Sequence, residues 1–284
     1  MAARNQSRNR PLVSETNPPA AQSATNPVAK TEIHIRIVPL DAPWDWLASG
    51  WRDLWEIKNI SLAYGAAFSL FAICMLAGFV TFGLQSIMLV LSGGFLLVGP
   101  LVAVGLYEAS RRLERGETPT LGDMLQAGFK APGQLGFFGA ILLFSFFVWI
   151  QIALLLFMMF MGAGSTFPLA QEFLPTLLFT PHGLSLLVVG TLVGSALAAV
   201  VFSISAISVP LLMTHRLDAA TAIHTSITAI RTNPKPMALW AVLIAAFIAI
   251  GVATLFIGLV IVFPLIGHAT WHAYRDIIAD VPTD

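Results

Sequence analysis

The sequence predicts an all-α fold: a polytopic transmembrane helical bundle of about six spanning helices, arranged as three hairpins, each preceded by a short interfacial amphipathic helix. Three observations predict it. Charged residues make up 11% of the 284-residue chain and apolar residues 57%, whereas soluble domains carry about 25% charge. No Asp, Glu, Lys, Arg or His occurs from 59 to 107, and no Asp, Glu, Lys or Arg from 236 to 274. Finally, the basic residues fall between apolar runs in an alternating pattern.

Residues 1–43 read as a cytoplasmic tail, largely disordered. Its first thirty residues are rich in Ala, Asn, Pro, Ser and Thr and hold no apolar stretch that could serve as a signal peptide. A six-helix domain follows over 44–278, and 279–284 is a short cytoplasmic C-terminal tail. A hydrocarbon core of about 30 Å needs about 20 apolar residues per helix. The first uncharged run therefore holds two spans, near 61–82 and 86–107, with Gln85 and Ser86 at the turn. A charged loop from Glu108 to Lys130 leads to a third span near 135–162. Residues 163–183 form a polar connection, and the fourth span lies near 184–213. Its Gly190, Gly194 and Ala198 form a small-residue stripe suited to close helix contact. After a polar segment, 236–274 is just long enough for two short spans, near 238–254 and 258–274. One long helix is the alternative there.

All fifteen Lys and Arg residues lie in four places. These are the N-terminal segment (Arg4 to Lys58), the second loop (Arg111, Arg112, Arg115, Lys130), the fourth loop (Arg216, Arg231, Lys235) and the C-terminus (Arg275). The first, third and fifth connections carry none. By the positive-inside rule both termini are cytoplasmic, in the inner (plasma) membrane of a bacterial-type cell, and the number of spans is even.

An internal repeat underlies the hairpins. Pro100, Pro210 and Pro264 recur in the even-numbered spans, each followed by Leu and a second aliphatic residue. In the first and third copies an aromatic follows at the seventh residue (Tyr107, Trp271) and an arginine at the eleventh (Arg111, Arg275). Proline inside a helix removes a hydrogen bond and kinks it. The three kinks either open a cytoplasm-facing vestibule or curve the helices for packing, and packing is the simpler expectation. Short amphipathic helices precede each hairpin. Asp45, Thr120 with Asp123, and Asp218 are their expected N-caps. The first would show Trp46, Leu47, Trp51, Leu54 and Trp55 on one side.

Few residues suggest chemistry. His268 and His272 are four apart and project from one helix face, a spacing at which two imidazoles can share a metal or each ligate a haem. The competing reading is solvation at the lipid–water boundary among Trp271, Tyr274 and Arg275. Glu108, Arg111 and Arg112, with Trp271, His272 and Arg275, form a candidate cytoplasmic-side polar site for an anionic headgroup or effector. A helix end anchored by paired charges is the plainer reading. The chain has one cysteine, Cys74, so no internal disulfide. Phosphate loop, nucleophile elbow and HExxH motif are all missing, so no enzyme activity and no cofactor is expected. The zero net charge gives no nucleic-acid signature. The implied partners are the lipid bilayer and another membrane protein.

Three stretches, WLASGWRDL at 46–54, YEASRRLERG at 107–116 and PLIGHATWHAYRD at 264–276, resemble an uncharacterised bacterial family of predicted integral membrane proteins. Some members carry a cytochrome c oxidase subunit label. The resemblance spans about residues 33 to 280 and implies a multi-span inner-membrane protein of unknown function. A catalytic oxidase subunit would need histidines spread over several spans, and only His268 and His272 stand as a pair near one. The function expected is therefore a non-catalytic accessory or interaction protein. A permease or lipid-handling protein is the alternative, and a haem- or metal-binding respiratory accessory protein the second alternative.

Overall fold

A computed structural model describes residues 33–82, 85–129, 132–162 and 170–280. The tail up to residue 32, Lys130, and the last four residues of the C-terminal tail lie outside the described residues. The elements are β1 (Ile33–Ile35), α1 (Ala42–Glu56), α2 (Lys58–Thr81), α3 (Gln85–Val102), α4 (Val104–Glu114), α5 (Leu121–Gln126), α6 (Pro132–Met161), α7 (Ala170–Phe179), α8 (Pro181–Ser205), α9 (Ser208–Thr214), α10 (Ala219–Thr232), α11 (Pro234–Ala253), α12 (Leu259–Ile277) and β2 (Ile278–Asp280). A short 3-10 turn, Ala127–Phe129, follows α5.

Among the described residues the fold is all-α apart from the strand pair. Four helices among the described residues are long and apolar enough to cross a membrane: Lys58–Thr81, Pro132–Met161, Pro181–Thr214 and Pro234–Ala253. The other two expected spans are helical but differ in kind. The second is broken at Ala103 between α3 and α4. The sixth, α12, carries His268, His272, Arg275 and Asp276 in its second half and packs inside the molecule against α1, α2, α4 and α11. The apolar run 236–274 divides into two helices, as expected over the alternative of one. Its turn holds Leu255 and Phe256 at φ 54° and 68°, a left-handed backbone that L residues adopt only when the surroundings impose it. The Thr254 hydroxyl accepts from Gly258 N at 2.9 Å, and Ser69 Oγ donates to Phe256 O at 2.7 Å.

Short helix, long apolar helix and proline-bearing helix follow one another three times: α1, α2, α3–α4; α5, α6, α8–α9; α10, α11, α12. The middle copy has an extra helix, α7, where the sequence suggested only a polar connection. The caps of α5 and α10 stand as read. Thr120 and Asp123 form a reciprocal capping box, and Asp218 Oδ1 accepts from Thr221 N at 2.9 Å. The cap of α1 does not. That helix begins at Ala42 with Asp41 as N-cap residue, because Pro43 in the first turn starts the helix a turn before Asp45. Its aromatic face also divides. Trp46, Leu47 and Leu54 are buried, whereas Trp51 and Trp55 point outward and meet edge to face at 5.4 Å.

The prolines have separate fates. Pro210 follows a break at Ala206 and Ile207, and Ser226 of α10 is inserted there. Ser226 Oγ donates to Ser203 O at 2.8 Å and accepts from Ile207 N at 3.3 Å, replacing the helical bond between those two residues. Pro100 precedes the break at Ala103, where Tyr64 Oη donates to Val102 O at 2.7 Å. Helix α12 runs unbroken through Pro264. Proline offers no N–H to the carbonyl of Val260, and Gly65 of α2 stands directly against that carbonyl, so that a Cβ at 65 would lie 2.1 Å from it. The close-contact stripe is thus Ser61, Gly65 and Ser69 of α2, all buried. Of the stripe expected on α8, Gly194 packs on the Trp149 ring while Gly190 faces open space.

The described part of the N-terminal tail is structured. β1 pairs antiparallel with β2, Ile33 opposite Asp280. Asn233, buried between α10 and α11, accepts from Val38 N at 2.9 Å and donates to Arg36 O at 2.9 Å. The two ends of the described chain are thereby clasped together.

Candidate functional site

The α12 helix places His268 against two neighbours at once. Small residues permit this. A Cβ at Gly50 of α1 would lie 2.6 Å from Ala269 N, and one at Gly267 would lie 2.4 Å from Leu106 of α4. Helices α1 and α4 therefore approach the α12 backbone closely, and polar side chains flanking these contacts meet in a buried chain. Ser61 Oγ lies 2.9 Å from His268 Nε2, Ser110 Oγ 2.8 Å from His268 Nδ1, and Ser110 Oγ donates to Asp53 Oδ2 at 2.6 Å. His272 Nε2 meets the same Oδ2 at 2.8 Å.

Hydrogen-bond chemistry fixes the direction of three of the four links. A carboxylate only accepts, so Ser110 and His272 both donate to Asp53. Ser110 has a single proton and has given it to Asp53. Toward His268 it accepts, so Nδ1 carries a proton. In the neutral ring Nε2 accepts from the Ser61 hydroxyl. All four links run toward one carboxylate: Ser61 to His268, His268 to Ser110, Ser110 to Asp53, and His272 to Asp53. Ser61, Ser110 and His268 are each 0% exposed. The Asp53 and His272 side chains, 13% and 21% exposed, form the only end near solvent among these five.

A second cluster lies on α4. The carboxylate of Glu108, 1% exposed, accepts from Arg111 Nε and Nη2 at 2.8 Å each and from Arg112 Nε at 3.0 Å. Arg112 also reaches Asp123 Oδ1 at 2.8 Å and Glu117 Oε2 at 3.3 Å, which ties the end of α4 to the capping box of α5. Hydrogen bonding to Glu108, with the charges of Asp123 and Glu117 close by, holds the Arg112 guanidinium above its ordinary value. Arg275 bonds Glu114 at 3.3 Å.

The six residues expected to form one polar site are thus distributed. Glu108, Arg111 and Arg112 stand together, His272 belongs to the Asp53 chain, and Arg275 joins α12 to α4. Trp271 faces the core beside Tyr274, at 1% exposure and 5.3 Å between rings. His268 and His272 do converge, through Ser110 and Asp53. Both nitrogens of His268 and Nε2 of His272 are engaged by these side chains, and no group of three or more His, Cys, Asp or Glu among the described residues is close enough to hold a metal. Sequence reasoning missed Asp53, Ser110 and Ser61. A signal was present for Asp53, a carboxylate on the same helical face as Trp46 and Leu54.

Residues 87–214 match the sequence model of a family described as "Predicted integral membrane protein (DUF2189)". The match runs from α3 to the end of α9. It includes YEASRRLERG and leaves out the other two stretches singled out above. No curated protein and no solved structure matches the chain. With four long apolar helices among the described residues and this similarity, the chain is an integral membrane protein, similar over 87–214 to a family described as predicted integral membrane proteins.

Proposed function

We propose that the protein is a six-span component of a bacterial-type inner membrane, with both termini cytoplasmic, acting as a non-catalytic accessory or interaction protein. The observation that carries the topology is the clasp of β1 on β2. Ends that are hydrogen-bonded to each other lie on one side of a bilayer, so the chain between them crosses an even number of times. Counting α3–α4 and α12 with the four long helices gives six, and the positive-inside rule assigns the loaded side to the cytoplasm.

The non-catalytic part of the reading rests on the buried chain. Serine, histidine and aspartate invite comparison with a nucleophilic triad, but a substrate must reach the nucleophile. Here both hydroxyls and the imidazole are sealed and spend their hydrogen bonds on one another, joining α1, α2, α4 and α12. Reporter fusions at both termini and at 117, 166, 216 and 256 test the topology. Cytoplasmic signals are expected at both ends, 117 and 216, and periplasmic signals at 166 and 256. Termini on opposite faces would refute it. For the role, purification in mild detergent should recover a membrane protein in fixed stoichiometry. Solute flux by the chain alone in vesicles would overturn the accessory reading.

A further inference from the structure

The outward side of α1 borders an open groove of about 860 Å³, completed by α11 and α12. Its lining includes Asp45, Ser49, Trp51 and Arg52 from α1, with Phe247 and Leu265 forming an apolar wall. Arg52 Nη2 donates to Ser49 Oγ at 2.9 Å, which keeps the guanidinium beside the groove. Ser49, at which the guanidinium is held, is four residues from Asp45 on the same helix face, a separation of about 6 Å along the axis.

Charge complementarity selects the occupant. The lining offers one carboxylate, one guanidinium and an apolar wall. A ligand that satisfies all three has an anion and a cation a few ångströms apart on a hydrocarbon chain, which is a zwitterionic phospholipid. An anionic lipid would set a second negative charge near Asp45. A primary ammonium donates hydrogen bonds to a carboxylate, whereas a trimethylammonium has none to give. We propose that this groove is a binding site for an ethanolamine phospholipid. The phosphate meets Arg52 and Ser49, the ammonium meets Asp45, and an acyl chain runs along Phe247 and Leu265. Trp51 stands at headgroup level, where indole rings are favoured.

This inference rests on the placement of α1 at the membrane surface, and the reporter fusions can fail independently of it. The test is lipid retention. The full chain is stripped of lipid in mild detergent and titrated with ethanolamine, choline and glycerol phospholipids of identical acyl chains, with bound lipid counted by native mass spectrometry. The ethanolamine lipid should be retained about tenfold over the choline lipid, the worth of one charge-assisted hydrogen bond. Asp45→Ala should abolish that preference and raise retention of the anionic glycerol lipid. Arg52→Ala should lower retention of all three, and Lys235→Ala of none. Both groove residues are exposed, so the variants keep the fold. Equal retention of the three headgroups by the unaltered protein, a preference for the anionic lipid, or an ethanolamine preference that survives Asp45→Ala would each overturn the proposal.

Discussion

Replacing Asp53 by alanine removes the terminus toward which every link of the buried chain is directed. Two donors lose their acceptor. The Ser110 hydroxyl is 0% exposed, so water cannot replace the carboxylate, and stranding such a group costs about 1–3 kcal/mol. The His272 side chain is 21% exposed and regains water, so its loss is smaller, about 1 kcal/mol. The sum is a destabilisation of about 3 kcal/mol. Asp53→Asn keeps an acceptor oxygen without the charge and should cost about 1 kcal/mol. Glu56→Ala, on the exposed side of the same helix, should stay within about 0.5 kcal/mol. The assay is reversible unfolding in mixed micelles by denaturing detergent, followed by tryptophan fluorescence. If Asp53→Ala unfolds at the same detergent fraction as Glu56→Ala, the chain has no energetic weight and the hub is a coincidence of packing.

Three further outcomes are expected. Gly65→Ala drives a Cβ to 2.1 Å from the Val260 carbonyl and should destabilise by at least about 1–3 kcal/mol, seen as lost monodispersity on size-exclusion chromatography; unchanged elution and stability would mean that α2 and α12 do not pack this closely. Asn233→Ala should release 33–38 and raise their hydrogen exchange while the core of α12 stays protected; unaltered exchange would remove the role given to its side chain. The Thr221 hydroxyl and backbone N–H, by bonding to Asp218, hold its carboxyl below the ordinary 3.8. A lowered folded-state value means the cap stabilises above the ordinary value and is lost as pH falls through the lowered one. Protection of the first turn of α10 should therefore be constant from neutral pH to about 4 and fall below it; Asp218→Asn should flatten that profile, and an identical profile in the variant would count against the cap.

Periodicity and charge made most of the fold legible. The apolar runs, the division of 236–274 and the caps at Thr120 and Asp218 are local properties, written within a few residues. What sequence could not supply is distant in the chain. Ser110 and Asp53 are 57 residues apart, and Ser61 and His268 are 207 apart. The spacing of His268 and His272 gives a shared face but not what that face meets. It meets hydroxyls and a carboxylate brought in by α1, α2 and α4. The strand pair was illegible for the same reason, since three residues at each end carry no periodicity to read. Helix α7 was hidden by Pro175 within it, a residue that ordinarily argues against a helix interior.

The inserted hydroxyl of Ser226 makes two stretches of chain interdependent. A straightened α8–α9 would reclaim both of its partners, Ser203 O and Ile207 N, and leave a hydroxyl stranded inside α10. An N–H restored at 210 would reach Ala206 O, a different rung of the helix, and would leave the Ser226 insertion in place, whereas substituting Ser226 leaves Ile207 N and Ser203 O without their bridge. The break between α8 and α9 is thus held open by a side chain from a separate helix, and its geometry depends on α10 remaining seated.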